Sequence, residues 1–415
     1  MRTPSLPLRA AWTALLTVAL GLVLMLLFAT LEQRPLDAEA LRFFPADMLE
    51  RGRQFTREAR LAASLRTLAS LGALAALCFH PAGARVLVWL EERGRGRWWR
   101  EVAWVAVGAA LITALVELPF DYYLGHVHER AYGLTRETPW AWLGDHLLSL
   151  LVGTGTSLLL WLALYALIRR SPARWWAGAA VVSAGFSLLM AALYPVLLLP
   201  LFYEVRPVSD PQVTAMIRSL ADRAGVRVER IAELGVGAES SRLNAMVAGL
   251  GPTKQVFLYD TLLQELSPSE LEAVLAHELS HAVSGDLLKG WLLSAALNAA
   301  GLGLAAWVLR EMRGVAPLRL PAAQAARGVA LLLLLMSLCE IAATPVQAAL
   351  SRRMEVRADR YALELTQNPR ALVQSFQKLA RANPGDVAPP PLVEVLSHSH
   401  PSIIRRIRAA LEPGR

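Results

Sequence analysis

Hydrophobic residues fall into seven long runs along this chain, and the polar and charged residues collect between them. The runs cover about 11–31, 67–90, 102–122, 146–168, 175–202, 289–309 and 327–349. At roughly 1.5 Å per helical residue, each can cross a hydrocarbon layer about 30 Å thick. The second is the weakest, because His80-Pro81-Ala82-Gly83 interrupts it. The first follows Arg2 and Arg9, the position of a secretory leader. Its length and its lack of a small-residue cleavage site read as a retained anchor.

The polar intervals predict the remaining elements. Residues 32–66 mix both charge signs with Phe43, Phe44, Met48, Leu49, Phe55 and Leu61, the pattern of an amphipathic helical loop. Residues 204–288 form the largest polar block: a helix near 210–224, a strand near 228–234, a turn-rich stretch, then a strand at Gln255–Tyr259. Residues 350–381 read as helical and 400–412 as a short terminal helix. The expected organisation is a five-span membrane domain over 1–203 and a catalytic core over 204–288. Two further spans over 289–349 and a C-terminal segment over 350–415 complete it. The expected class is mostly α.

Composition agrees with membrane residence: of 415 residues 55% are hydrophobic, and the mean hydropathy is +0.39. The net charge of +8 comes almost wholly from arginine, with lysine only at Lys254, Lys289 and Lys378. Arginines cluster beside spans, as at Arg93, Arg95, Arg97, Arg100 and Arg169-Arg170. There they anchor the chain to anionic lipid and set topology, and they argue against a nucleic-acid partner. The bias toward arginine points to a GC-rich bacterial genome, and so to a bacterial inner membrane. Cys78 and Cys339 lie in apolar runs and offer no disulfide framework.

The chemistry concentrates in Ala276-His277-Glu278-Leu279-Ser280-His281, an HExxH string. On a helix, positions i and i+4 share a face, so both imidazoles reach one metal ion, with the glutamate beside it as base. Ser267, Pro268 and Glu270 spell a capped helix start just upstream. Zinc suits these ligands and brings a coordinated water to a pKa near 7. Such a site needs a third protein ligand. Glu355 and Asp359 sit one helical turn apart after the last run. Taken alone, an acid pair among arginines is a solvated helix face; behind an HExxH it becomes a candidate ligand, with Asp359 orienting a ligating histidine. His400, before Pro401, is a candidate oxyanion donor, and Arg405 a clamp for an acidic group, although a capping loop with a surface arginine fits equally. Asn244 precedes the strand at 255–259, which as an edge strand would pair with an extended peptide; Asn244 would then bind substrate backbone, or serve only as a turn residue.

Together these strings resemble the type I CAAX prenyl endopeptidases, integral-membrane zinc proteases. The resemblance runs through Leu118-Pro119-Phe120, Glu129-Arg130 with Tyr132-Gly133-Leu134, and Asn244-Ala245 with Gly249-Leu250. It continues through AHELSH, Glu355 with Ala358-Asp359, and His400-Pro401. It implies seven transmembrane helices around a chamber and a gluzincin-like α+β catalytic core. It also implies one zinc held by His277, His281 and Glu355, and Glu278 as catalytic base. The substrate would be a peptide or protein, lipidated or membrane-associated. Two positions depart from the family's spelling: Ser280 and Ala282 flank His281 where glycine and tryptophan are usual. The run to Asp286 is closer to the heat-shock-type quality-control membrane metalloproteases, which remain an alternative. A non-catalytic scaffold or transporter is the rival outside enzymes, since Glu117, Asp121 and Glu340 place ionisable groups in or near spans. Orientation is open: the arginine-rich loops put the catalytic block outside, whereas the resemblance puts it in the cytosol.

Overall fold

The structure, a computed structural model, describes residues 5–412 except Gln33, Arg319 and Ala323; Arg2 lies outside the described residues. Fifteen helices and four strands follow in chain order among the described residues. The membrane half contains α1 (Leu6–Leu31), α2 (Ala46–Phe79), α3 (Pro81–Glu92), α4 (Trp98–Tyr122), the single turn α5 (Glu129–Ala131), α6 (Pro139–Arg170) and α7 (Trp175–Leu193). Next come β1 (Glu204–Pro207), α8 (Pro211–Arg223), β2 (Arg230–Gly235), β3 (Ala245–Ala248), β4 (Gln255–Tyr259), α9 (Asp260–Glu265) and α10 (Pro268–Ser284). The chain then crosses through α11 (Asp286–Glu311) and α12 (Gly328–Thr366), and ends in α13 (Pro369–Ala382), α14 (Pro391–Ser397) and α15 (Ile403–Leu411).

Seven helical segments are long and apolar enough to span a membrane: 6–31, 46–79, 98–131, 139–170, 175–201, 286–311 and 328–366. The second differs from the run expected at 67–90. His80-Pro81 ends one helix and starts another: the His80 Nδ1 accepts from the Ala82 N–H at 3.2 Å, and Pro81 takes the first helical position. Gly83 lets α3 fold back on α2, since a Cβ there would strike the Ala76 carbonyl. Residues 46–66, expected as a loop helix, are instead the first half of α2. The third span continues past Pro119 through a π-helical turn, Tyr123–His128, into α5. The helices enclose a cavity of about 360 Å³ with polar lining from Ser70, Thr113, Glu117, Thr154 and Ser337.

Because spans alternate, the start of α1, the α3–α4 turn, the α6–α7 turn and the α11–α12 connection share one end of the bundle. Ser5 Oγ donates to Glu311 there, and Arg327 pairs with Glu91 at 3.0 Å. This end carries the arginine clusters, several over indole faces, such as Arg93 3.7 Å above Trp89. Buried apolar residues from α1 to α4, α6, α7, α11 and α12 make its core, with Tyr165, Trp175 and Leu331 at the centre.

The opposite end holds the sheet, ordered β1-β2-β4-β3. β2 and β4 are parallel, with Ile231 opposite Val256; β1 and β3 are antiparallel to their neighbours. Alternation on β4 sends Val256 and Leu258 toward the α8, α10 and α13 layer, and Phe257 to the other face with Leu234 and Leu199. The strand at 255–259 is therefore interior, and the free edge on this side is β3, which starts just after Asn244. A loop of the membrane half clasps the segment that leads into β3. Arg136 N–H donates to the Glu239 carbonyl, Ser241 N–H to the Leu134 carbonyl, and Arg242 forks onto Glu129 at 2.6 and 3.1 Å.

Candidate metal centre

The site grows from α10. Ser267 caps it, Pro268 opens it, and the Glu270 carboxylate accepts the Ser267 N–H at 2.7 Å, completing a capping box. Lys378 Nζ pairs with the same carboxylate at 2.7 Å. Burial alone would raise the Glu270 carboxyl, but Lys378 and the Ser267 N–H outweigh it and hold it below the usual carboxylate range. Gly285, in the left-handed region at φ 64°, ends the helix and redirects the chain into α11. Leu271, Leu275 and Leu279 bury the inner face, and the helical period brings His277 and His281 together with ring centroids 5.0 Å apart.

α12 lies against α10 and delivers Glu355. Its Oε2 is 3.2 Å from His277 Nε2, and its Oε1 is 3.5 Å from His281 Nε2. One ligand atom from each of His277, His281 and Glu355 falls within 4.8 Å of the others, the only such group among the described residues. Both histidines are held through their second nitrogen: His277 Nδ1 by Asp359 Oδ1 at 2.9 Å, His281 Nδ1 by Asp286 Oδ2 at 3.0 Å. Each Nε2 is thereby turned to the shared centre, the usual arrangement around a metal. Glu355 Oε2 is buried and has no hydrogen-bond partner among the described residues. Burial lowers the His277 imidazole, but Asp359 and Glu355 more than offset this and carry it up to about 9. This is a negative pocket that a cation satisfies. Two imidazole nitrogens converging with a buried carboxylate fit a divalent metal.

Glu278 follows on the same helix. Burial pushes its carboxyl up, against the positive influence of His277 and His281. His400, from the loop before α15, reaches over the site, its Nε2 3.3 Å from Glu355 Oε1. Asn244 stands exposed at the start of β3, and its carbonyl accepts the Tyr259 N–H at 3.0 Å. Arg405 is elsewhere: its side chain is 62% exposed and pairs with Glu394 at 2.6 Å. The neighbouring Arg406 occupies the site instead, 11% exposed, forked onto Asp359 at 2.6 and 2.8 Å and 4.3 Å above the Phe376 ring. The reason is helical phase. Ile404, Ile407 and Ala410 mark the buried face of α15; Arg406 flanks it, while Arg405 points away. A helical projection of 403–411 would have found Arg406. Asp286 was also missed, because it lies beyond the helix break at Gly285.

A histidine pair on one helix, a glutamate from a second and a glutamate next to the first histidine, at the end of a helical membrane bundle, define a membrane metalloprotease. The chain belongs to peptidase family M48: that family's model matches residues 207–413, and the model of the CAAX prenyl protease N-terminal region, five membrane helices, matches residues 27–204. It is similar to an uncharacterized metalloprotease, YhfN, of Bacillus subtilis, with 33% identity over 79% of this chain and 76% of that one. It is also similar to a CAAX prenyl protease 1 homolog of Dictyostelium discoideum, with 29% identity over 72% and 70% of the two chains. In fold it matches the crystal structure of Ste24p from S. mikatae, with a TM-score of 0.83, 22% identity, and 99% and 100% of the chains covered. The fold class, the membrane setting and the metallopeptidase assignment expected from the sequence stand, and the transporter or scaffold reading falls.

Proposed function

We propose that this chain is a zinc endopeptidase that cuts membrane-associated peptide or protein substrates, lipidated ones among them, at the end of the bundle opposite its arginine clusters, in a bacterial inner membrane. The observation that carries the reading is the convergence of His277, His281 and Glu355, with both histidines braced by carboxylates. These three residues would hold the ion. Zinc supplies Lewis acidity there, bringing water toward neutral pKa and polarising the scissile carbonyl.

The protein's own groups do the rest. Glu278 takes the proton of the attacking water as the oxygen–carbon bond forms, and passes it to the amide nitrogen as the carbon–nitrogen bond breaks. Asp359 and Asp286 fix the tautomer of His277 and His281, and Arg406 holds Asp359 in place. His400 donates toward the oxygen that gains charge on the reacting carbonyl. β3 offers its free edge to an extended substrate, with Asn244 at its start to hold substrate backbone. Arg405, paired with Glu394 and turned outward, is left out of this machinery.

The test is Glu278→Gln in purified protein. It should keep about one zinc per chain, measured by elemental analysis, and lose at least about a hundredfold in peptide cleavage. Cleavage at the wild-type rate with zinc retained would refute the mechanism. The same variant, used as a trap in cells, identifies the substrate by what accumulates on it.

A further inference from the structure

Where α1 and α2 leave the membrane on the catalytic side, four arginines surround one cavity of about 620 Å³: Arg34, Arg53, Arg57 and Arg60. Its walls come from the end of α1 and the segment after it, the first half of α2, and residues 386–390. Among the described residues, Arg34, Arg57 and Arg60 have no carboxylate within 4.0 Å, and Arg53 reaches only Glu50, at 3.9 Å. Arg53 instead donates to the carbonyls of Arg34 and Pro35, fixing the turn that brings Arg34 to the rim. Arg60 donates to Thr30 Oγ1 at 3.2 Å. Four carboxylates also line the cavity, Glu32, Asp37, Glu50 and Asp386. Two are turned to backbone: Asp37 accepts from Glu39 and Ala40, and Asp386 from Ala388. The cavity therefore holds both charge signs, with Arg53–Glu50 its one ion pair within 4.0 Å among the described residues and Asp386 facing Arg34, Arg53 and Arg60 at longer range.

Directly below, a second and apolar cleft of about 230 Å³ runs between α1, α2, α12 and α14, lined by Leu22, Val23, Leu26, Ile341, Pro345 and Leu396. Arg60 lines both spaces. From Thr30 back to Leu22 is eight residues, so the cleft extends about 12 Å into the bundle below the cavity. Unpaired guanidinium groups above an apolar slot at the membrane boundary match an amphiphile whose anionic group sits where its chain begins.

We propose that this pair of spaces binds one membrane aminophospholipid. Its phosphate lies among Arg34, Arg57 and Arg60, its ammonium group toward Glu32 and Glu50, and one acyl chain in the cleft. A lone anion would leave the carboxylates facing it, and a lone hydrocarbon would leave the arginines bare. The site sits behind the catalytic centre. Leu396 and Ser397 of the cleft belong to α14, which leads through His398 to His400. Arg352, one turn before Glu355, donates to the carbonyls of Glu394 and His398. The lipid thus braces the helix that presents His400, and this part of the proposal rests on the proposed role of His400.

The experiment is native mass spectrometry of the full chain released from detergent, titrated with phosphatidylethanolamine, phosphatidylglycerol and chain-free glycerophosphoethanolamine. The wild type should hold one phosphatidylethanolamine per chain, more tightly than phosphatidylglycerol. The double substitution Arg57→Gln/Arg60→Gln, and separately Leu26→Trp in the cleft, should each weaken it at least about tenfold. Zinc content at the metal centre reports that the variants are folded and that the protease reading holds independently. Equal retention of phosphatidylethanolamine by wild type and both variants would overturn the site. So would preference for phosphatidylglycerol, or binding of glycerophosphoethanolamine as tight as that of the intact lipid, which would mark a site for the zwitterionic headgroup alone.

Discussion

Asp359→Asn is the sharpest probe of how the metal centre is held. The side chain is 9% exposed and sits between two donors, His277 Nδ1 at 2.9 Å and the Arg406 fork at 2.6 and 2.8 Å. Asparagine keeps the shape but has one acceptor oxygen and an amide that only donates. If the oxygen stays at the Oδ1 place, serving His277 and Arg406 Nη2, the amide replaces Oδ2 and meets Arg406 Nε, donor against donor. Arg406 then has, within 4.0 Å among the described residues, the carboxylate of Glu355, its Oε2 at 3.8 Å, which is a proposed metal ligand. The substitution should therefore weaken zinc twice over: His277 is less basic, and Glu355 is drawn away. Loss of a partner that orients a ligand costs about 10- to 100-fold in metal affinity, or about 1.4 to 2.7 kcal/mol. The upper half of that range is expected here, because Arg406 is buried and cannot turn to solvent. The assay is competition for zinc between the solubilised protein and a chelating dye. Adding Arg406→Gln to Asp359→Asn removes the stranded charge and should recover part of the loss, a coupling of about 1 kcal/mol or more. Affinity within threefold of wild type for Asp359→Asn, beside a Glu355→Gln control that loses zinc, would refute the account of the brace.

Arginine register on α15 gives a second contrast. Arg406→Ala strands the buried Asp359 and should cost about 3 to 5 kcal/mol of stability along with activity, whereas Arg405→Ala takes an exposed guanidinium from the buried Glu394 carboxylate and should cost about 1 to 3 kcal/mol of stability with activity intact; thermal unfolding and peptide cleavage read both. Glu270 tests pH. Its carboxyl is held below the usual range in the folded state, so its contribution is present above the unfolded pKa near 4.3 and fades as pH falls through the lower folded value. Glu270→Gln should then destabilise by about 1 to 2 kcal/mol at pH 7, the gap closing toward pH 3 in the same unfolding assay. Orientation is settled by a reporter fused after Glu204: the end with the short arginine-bearing loops near 91–101, 169–174 and 310–326 should face the cytosol, so a phosphatase active only outside the cytosol should be active there, and activity of a cytosol-only reporter at that position would reverse the topology.

Much of this was legible in sequence because the signals are local. A capping box, a proline at the first turn and an i,i+4 histidine pair fixed α10 without reference to the rest of the chain. The misreadings share a different cause, which is phase and continuity over longer range. Residues 46–66 carry too many charges to look like a span, yet α2 runs through them because one side of the helix packs inside the protein. Arg66, for example, is paired there with Glu117 and Asp121 at 2.6 Å each. β1 and β3 are four residues each, too short to show alternation, and exist through pairing with partners distant in sequence. Placing β3 at the edge moved the free strand from 255–259 to 245–248. Asp286 escaped because it lies just across the helix break at Gly285 from the motif it serves, and Arg406 because its place depends on the phase of α15 rather than on the His400-Pro401 string.

The single helix α12 has a consequence for biosynthesis. It is the seventh of the spans described, and it carries Glu355 and Asp359 on the same continuous helix as its membrane segment, ahead of His400 and Arg406. The histidine pair on α10 is made roughly seventy residues before Glu355 and well over a hundred before His400. Until α12 is seated, the nascent chain holds half of the proposed site, without Glu355, without Asp359 beside His277 and without His400 over the centre. On the proposed metal site, proteolytic competence would be timed to the insertion of α12, and a chain stalled before it would be inert toward its surroundings without any inhibitor or propeptide.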